Sequence, residues 1–309
     1  MTRIVASVLN FRTAPLTLEC VRSLVTELDR ERDVALVVDN HSEDGSAELL
    51  KRSFAAPDAA PGLAQVRLIE TGRNGGFAFG HNAAVRAIEA DAYLLVNSDT
   101  LLRAGTVERL WRRLADDREC AVVSPRLEEQ DGTPQASCFR FHTPLGELLS
   151  AASTGPLTRL LRRHEVPLPV RATPETPDWT SFACVLVRGD ALRRVGLLDE
   201  SFFMYYEDVD LCRRLRDAGF TIASEPAARV VHRGGASSGV DAPEDALRRR
   251  PRYFYASRAR YFRKHHGAGG LLAANLMWTA GRALSWTRET FGSKRPHTVA
   301  HELGDRWRA

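Results

Sequence analysis

Short runs of continuous apolar residues alternate with stretches of helical spacing through the N-terminal part of the chain. Ile4-Val5-Ala6-Ser7-Val8-Leu9 is almost wholly apolar and carries β-branched residues, which predicts a buried strand. From Pro15 to Leu28, the residues Leu18, Val21, Leu24, Val25 and Leu28 recur at three- and four-residue intervals and predict a helix. Val34–Val38, Val66–Ile69, Ala92–Val96 and Ala121–Val123 predict further strands. The turn Ser42-Glu43-Asp44-Gly45-Ser46 opens another helix, and Phe77–Ile88 and Val107–Leu114 have helical patterning. Such alternation predicts an α/β fold, a Rossmann-like and mostly parallel sheet with helices on both faces. Ligands of such sheets bind beyond the C-terminal strand ends, where Asp39 and Asp99 fall.

The pattern changes over residues 139–178. Pro144, Pro156, Pro167, Pro169, Pro174 and Pro177 break it, predicting a long loop or mobile insert with a short helix near Leu157–Leu161. Regular patterning resumes at Trp179, with a strand at Ala183–Val187 and a helix from about Asp208 to Ala218 capped by Gly219. Two strands are expected at Thr221–Ala223 and Ala228–Val231.

A chain of 309 residues with 44% hydrophobic and 27% charged positions has the composition of a soluble globular protein. No apolar run approaches the roughly 20 residues that span a bilayer. Met1-Thr2-Arg3-Ile4-Val5 enters a strand without a secretory signal. The five cysteines show no CxxC or metal-ligand spacing and read as reduced thiols, so a cytoplasmic location is expected.

The net charge of +4 hides an asymmetry: residues 246–309 hold 14 Lys/Arg against 3 Asp/Glu, leaving −7 on residues 1–245. A basic, aromatic segment followed by Leu272, Leu276, Ala283 and Trp286 on one helical side predicts a helical C-terminal extension. Its residues 246–290 suit either contact with the inner leaflet of a membrane, which would make the protein peripheral there, or a helical hairpin packed on the core with a solvated basic face. The rest of the chain offers nothing for nucleic acid, and a homodimer stays open.

The segment Phe202-Phe203-Met204-Tyr205-Tyr206-Glu207-Asp208-Val209-Asp210-Leu211 crowds three carboxylates against apolar and aromatic residues. An apolar wall raises a carboxyl pKa toward the range of a general base, although a helix start also favours acidic residues. Asn97-Ser98-Asp99 after a buried strand can hold a divalent cation and a ribose. Asp39-Asn40-His41-Ser42 can accept the imide N–H of uracil or thymine, or form a turn of its own. Arg73-Asn74-Gly75-Gly76 lets backbone approach a phosphate at a helix start, with Arg73 as its charge partner. His232 can bind a metal, and the glycines after it suit a loop closing over substrate.

Taken in order, these segments resemble glycosyltransferase family 2, the inverting GT-A enzymes, and within it the rhamnosyltransferase-like branch that builds bacterial surface polysaccharides. The resemblance covers roughly residues 3–240 and includes Val195-Gly196-Leu197-Leu198-Asp199-Glu200 and His232-Arg233-Gly234-Gly235. It implies a GT-A catalytic domain over 1–245, with a nucleotide-sugar half to about 125 and an acceptor half from about 126. Residues 246–309 form the basic helical extension.

The resemblance also implies roles. Asn10, Asp39, Arg73, Asn74, Gly75, Asn97 and Ser98 would bind the nucleotide. Asp99 and His232 would hold Mg²⁺ or Mn²⁺. Asp208 would be the general base with Glu207 and Asp210 positioning it or the acceptor, and Trp179, Phe182 and Tyr206 would meet the acceptor. The implied reaction moves a sugar, rhamnose or another deoxysugar, from a dTDP- or UDP-sugar to a hydroxyl of a glycan or lipid-linked precursor. A sugar nucleotidyltransferase and a non-catalytic nucleotide-binding scaffold are the alternatives. Ser98 stands where the family often has Pro, His81 where it often has Asn, and Phe182 where it usually has Gly, so the acceptor is the least defined part.

Overall fold

The computed structural model describes residues 2–56, 62–173, 175–234, 249–292, 299 and 301–309. The chain opens with β1 (Thr2–Asn10), α1 (Ala14–Val25), β2 (Asp33–Asp39), α2 (Ser46–Ala55), β3 (Arg67–Glu70), α3 (Gly76–Ala87) and β4 (Ala90–Asn97). It continues through β5 (Thr100–Leu102), α4 (Thr106–Ala115), β6 (Cys120–Glu128), β7 (Cys138–Phe139), α5 (Pro144–Ala152), α6 (Gly155–Leu160) and β8 (Trp179–Thr180). β9 (Cys184–Arg188), α7 (Gly189–Val195), α8 (Glu207–Asp217), β10 (Thr221–His232), α9 (Arg252–Phe291) and α10 (Glu302–Arg308) complete it.

An eight-stranded mixed sheet runs in the order β3-β2-β1-β4-β9-β6-β10-β5. β1, β2, β3 and β4 are parallel, as are β6 and β10, while β9 runs antiparallel between β4 and β6 and β5 antiparallel to β10. Alternate residues of the central strands serve opposite faces. Ile4, Ala6, Val8, Val37 and Leu94 pack under α1, with Leu18, Val21 and Leu24, while Val5, Leu36, Val38, Tyr93 and Leu95 pack on the other side with α3 and α8. Burial on both faces is why these strands are apolar without interruption.

Two expectations change. Residues 139–178 hold α5, α6 and the β7–β8 pair rather than a bare loop. Pro144 and Pro156 stand at the first helical positions, where a missing N–H costs nothing, and the Thr143 hydroxyl caps α5 by accepting from the Gly146 N–H at 3.1 Å. The two strands expected after Gly219 are one strand, β10, whose register against β6 slips between Glu225 and Arg229.

The C-terminal segment is helical, and α9 is broken at Gly267, whose φ of 69° is left-handed. Before the break, Tyr255, Ala259, Tyr261 and Phe262 are buried. After it, α9 lies along α5 so closely that a Cβ at Gly281 would meet the Leu148 carbonyl oxygen. The 125/126 division falls inside β6, so one sheet runs through both expected halves, and the 245/246 boundary lies outside the described residues.

Candidate active site

The strand ends assemble the site. Register places Asn10 beside Asp39 and Leu9 beside Asn97. Asn10 is fully buried; its amide donates to Asp39 Oδ1 at 2.6 Å and to Ser42 Oγ, and its oxygen accepts from Thr13 and Thr17. It therefore holds Asp39 and has no side-chain atom left for a ligand. Asp39 also accepts from the Ser42 hydroxyl and backbone N–H. The next residue, Asn40, reaches the cavity, donating to Asn74 Oδ1 and the Gly76 carbonyl, each at 3.0 Å.

A cavity of about 170 Å³ gathers Asn97, Ser98, Asp99, Phe182, Asp208 and His232 on its walls. Glu207 and Asn74 line it as well. Ser98 Oγ lies 2.9 Å from Thr13 Oγ1, which fixes the turn after β4. His232 Nε2 is 3.7 Å from Asp99 Oδ1, and its Nδ1 is 3.2 Å from Gln135 Oε1. Donation from Nδ1 to Gln135 leaves the Nε2 lone pair facing the carboxylate. Among the described residues no three His, Cys, Asp or Glu side chains form a cage. One carboxylate and one imidazole fit a divalent cation whose remaining ligands are phosphate and water oxygens.

The turn entering α8 is strained. Tyr205 and Tyr206 both have left-handed φ, 67° and 69°, which bulky residues adopt at a cost of roughly 1–3 kcal/mol each. Aromatic contacts hold them: Tyr206 against His142, Phe254 and Tyr261, Tyr205 against Tyr253 and Phe254. The Phe203 carbonyl accepts from the Phe77 N–H at 2.9 Å, and Gly76, with φ 87°, touches it so closely that a Cβ would lie 1.9 Å from the oxygen. The start of α3 is thus locked to the turn that carries Glu207 and Asp208.

Burial pushes the Asp208 carboxyl up to about 6, against the pull of the Val209 and Phe182 backbone N–H groups. Burial, together with the Asp208 charge, pushes Glu207 well above the usual carboxylate range, and its Oε2 has no hydrogen-bond partner. Such a pair favours single ionisation, with the half-buried Asp208 as the charged member.

Other expected site residues lie elsewhere. Asp210 is fully buried under the C-terminal segment, where Arg214, Lys264 and His265 contact its oxygens at 2.9, 2.7 and 2.8 Å. Burial raises its pKa, but the hydrogen bonds from His265, Lys264 and Arg214 outweigh that and lower it. It anchors α9 and does not touch the cavity. Arg73 is exposed and stacks over Phe79 at 4.3 Å, and the absent side chain of Gly75 makes room for that same ring. Trp179 and Tyr206 line a second cavity, described below, with Trp179 stacked on Phe139 at 4.2 Å. The loop Gly235 to Gly239 expected to close over substrate lies outside the described residues.

Asn40, Ser181, Met204 and Tyr205 line the smaller cavity without having been singled out. Asn40 was findable as the first polar residue past a strand-end Asp; the others depend on the turn geometry.

The mannosyltransferase PcManGT of Pyrobaculum calidifontis, solved with GDP-Man and Mn²⁺, superposes with a TM-score of 0.57 at 18% identity, covering 94% of this chain and 76% of that one. S. aureus TarS 1-349 gives 0.52 at 13% identity, covering 93% and 73%. The fold is that of the GT-A glycosyltransferases. The family described as "Glycosyltransferase like family 2" matches residues 2–267, and the chain belongs to it. N-acetylglucosaminyl-diphospho-decaprenol L-rhamnosyltransferase of Mycobacterium tuberculosis is 29% identical over 234 residues, 69% of this chain and 71% of that protein. The dTDP-rhamnosyl transferase RfbF of Shigella flexneri is 23% identical over 224 residues, 72% and 67% of the two chains.

Proposed function

We propose that this glycosyltransferase moves a deoxysugar such as rhamnose, with inversion, from a dTDP- or UDP-sugar to a hydroxyl of a lipid-linked glycan precursor. The observation that carries the reading is Asp208: a half-buried carboxylate raised to about 6 on the wall of a cavity it shares with Asp99 and His232. Asp208 takes the acceptor O–H proton. The freed oxygen bonds to the anomeric carbon while the bond from that carbon to the diphosphate oxygen breaks on the opposite face. Asp99 and His232 would hold Mg²⁺ or Mn²⁺, which supplies positive charge to the leaving diphosphate. Asp39, braced by Asn10 and Ser42, accepts from the base, and Asn97 and Ser98 meet the ribose. The names of the relatives from Mycobacterium tuberculosis and Shigella flexneri support the donor class.

Calorimetric titration with dTDP and UDP, with and without Mn²⁺, tests the donor site. Binding is expected only with the metal, and Asp99→Ala should weaken it at least ~100-fold, since even outer partners of a metal ligand are worth 10–100-fold. Equal affinity without metal would dismiss the cation. No binding by the folded protein would favour the scaffold alternative.

Leu272 and Leu276 of α9 and Leu303 and Trp307 of α10 are exposed apolar residues, and Trp307 donates to Thr279 Oγ1 at 3.3 Å, which brings α10 against α9. No helix among the described residues is long and apolar enough to cross a membrane. Such residues on a basic segment suit peripheral binding to anionic lipid. Sedimentation with phosphatidylglycerol vesicles should capture the protein in low salt, and Leu276→Ser with Trp307→Ser should release it; equal capture of that variant would dismiss the contact.

A further inference from the structure

A second cavity, about 880 Å³, lies on the other side of the strained turn. The 139–167 segment and the C-terminal helices build it together. One wall is aromatic: Phe139, Trp179, His142, Tyr206 and Phe254. The rest is small, polar and apolar residues with four arginines and two glutamates among them. Arg159, Arg162 and Arg250 line it, and among the described residues none of the three has a carboxylate partner; Arg250 only stacks on Phe254 at 4.5 Å. Arg306 also lines it but is paired with Glu147 and Glu302. Of the two lining acids, Glu147 is consumed by Arg258 and Arg306, which leaves Glu165 alone against three unanswered guanidinium groups.

We propose that this cavity seats the phosphate or diphosphate end of the acceptor, with its apolar or sugar portion against the aromatic wall. Guanidinium groups facing one concave space repel each other until an anion joins them, and their planar donor forks match phosphate oxygens. The volume suits a ligand of several hundred daltons. The position suits an acceptor: Tyr206 lines this cavity, and its chain neighbours Tyr205 and Glu207 line the smaller one. Consecutive Cα atoms are ~3.8 Å apart, so the two cavities meet the backbone at neighbouring positions, and on this proposal one acceptor spans them, its hydroxyl at Asp208 and its anion among the arginines. The proposal rests on the transfer reading for the identity of the hydroxyl end, but the anion site stands on its own residues.

The test is calorimetry in metal-free buffer with chelator, using octyl diphosphate, inorganic pyrophosphate and octyl glucoside as probes. Octyl diphosphate should bind, and octyl glucoside should not. The double variant Arg159→Gln/Arg162→Gln, whose changes fall on exposed and unpaired side chains, should raise the octyl diphosphate Kd at least ~10-fold, as loss of charge-assisted bonds to phosphate predicts. Arg250→Gln should do the same separately. Pyrophosphate binding as tightly as octyl diphosphate, with the same loss in the variants, would support the anion site and name a soluble phosphate as its source. Tighter octyl diphosphate would name a lipid-linked one. No diphosphate binding by wild type, or an unchanged Kd in the folded variants, overturns the proposal. Metal-dependent dTDP or UDP binding, measured on the same proteins, keeps the two readings apart: its loss alone fails the donor site, its retention without diphosphate binding fails this cavity.

Discussion

Asp208→Asn is expected to lower transfer by ~10²–10⁴-fold, the range that a positioned general base supplies, while nucleotide affinity stays at the wild-type level. Asp208 lines the cavity through its carboxylate, and the amide is nearly the same size, so donor binding keeps its shape. The pH profile separates lost proton transfer from lost structure. A carboxyl raised to about 6 is protonated below that pH and cannot accept; above it, the charged form predominates. The wild-type rate should therefore rise through about pH 6 and level off, and the residual rate of the variant should lack that inflection. A wild-type rate flat from pH 5 to 8, or an Asn variant retaining most activity, would remove Asp208 from the base role. Weakened dTDP or UDP binding in the variant would instead place it among the donor contacts.

The place of Asp208 on the cavity wall could be anticipated from the sequence because its physical signature is local: carboxylates set among aromatic residues at a helix start. Asp39 and Asp99 were visible for a different reason. Asp39 ends β2 and Asp99 lies two residues past β4; both strands must be apolar on two faces, so the first acidic residue past each run marks the mouth of the sheet. The same logic failed for Asp210. It stands two residues beyond Asp208 in a helix, which turns it roughly 200° away, and its partners Lys264 and His265 lie more than fifty positions on. Only its four-residue spacing to Arg214 was readable in advance.

Gly76 carries a second demand that no local reading could show: besides lining the smaller cavity, its bare Cα makes room for the Phe203 carbonyl, a long-range contact. The prolines at 144 and 156 were read as breakers because a first-turn proline and a loop proline look alike until the helix after them is seen. Arg73, read as a charge partner for phosphate, lays its guanidinium face over Phe79, a contact that no local pattern announced. Trp179 and Tyr206 were grouped with Phe182, yet Trp179 on β8 and Tyr206 in the turn entering α8 line the larger cavity, and Phe182 lines the smaller one.

The C-terminal segment holds the second large effect. Glu147 on α5 is buried with Arg258 at 2.9 Å and Arg306 at 2.7 Å; Arg258 also donates to Asn275, and Arg306 to Glu302. Arg306 further stacks over Trp278 at 4.5 Å. Burial disfavours the Glu147 charge, but the Arg306 and Arg258 charges overcome it and hold its pKa below the usual value. A depressed carboxyl contributes stability that is present above its unfolded pKa and lost as pH falls through its folded one. Glu147→Gln keeps the shape and removes the charge, leaving Arg258 with no carboxylate. Breaking a buried pair in this way costs ~3–5 kcal/mol, a fall in melting temperature on the order of 10 °C. The double change Glu147→Met and Arg258→Met should be far milder than the single one, because Arg306 keeps Glu302 and no uncompensated charge remains. If the single variant melts with the wild type, the network is not what fastens α10, and the basic segment is an appendage to the sheet. If it melts early and the double variant does not, α9 and α10 are held by a charge balance set on α5. The wall of the larger cavity then depends on residues more than a hundred positions apart, which explains why neither its presence nor its arginines could be read from any one stretch of the chain.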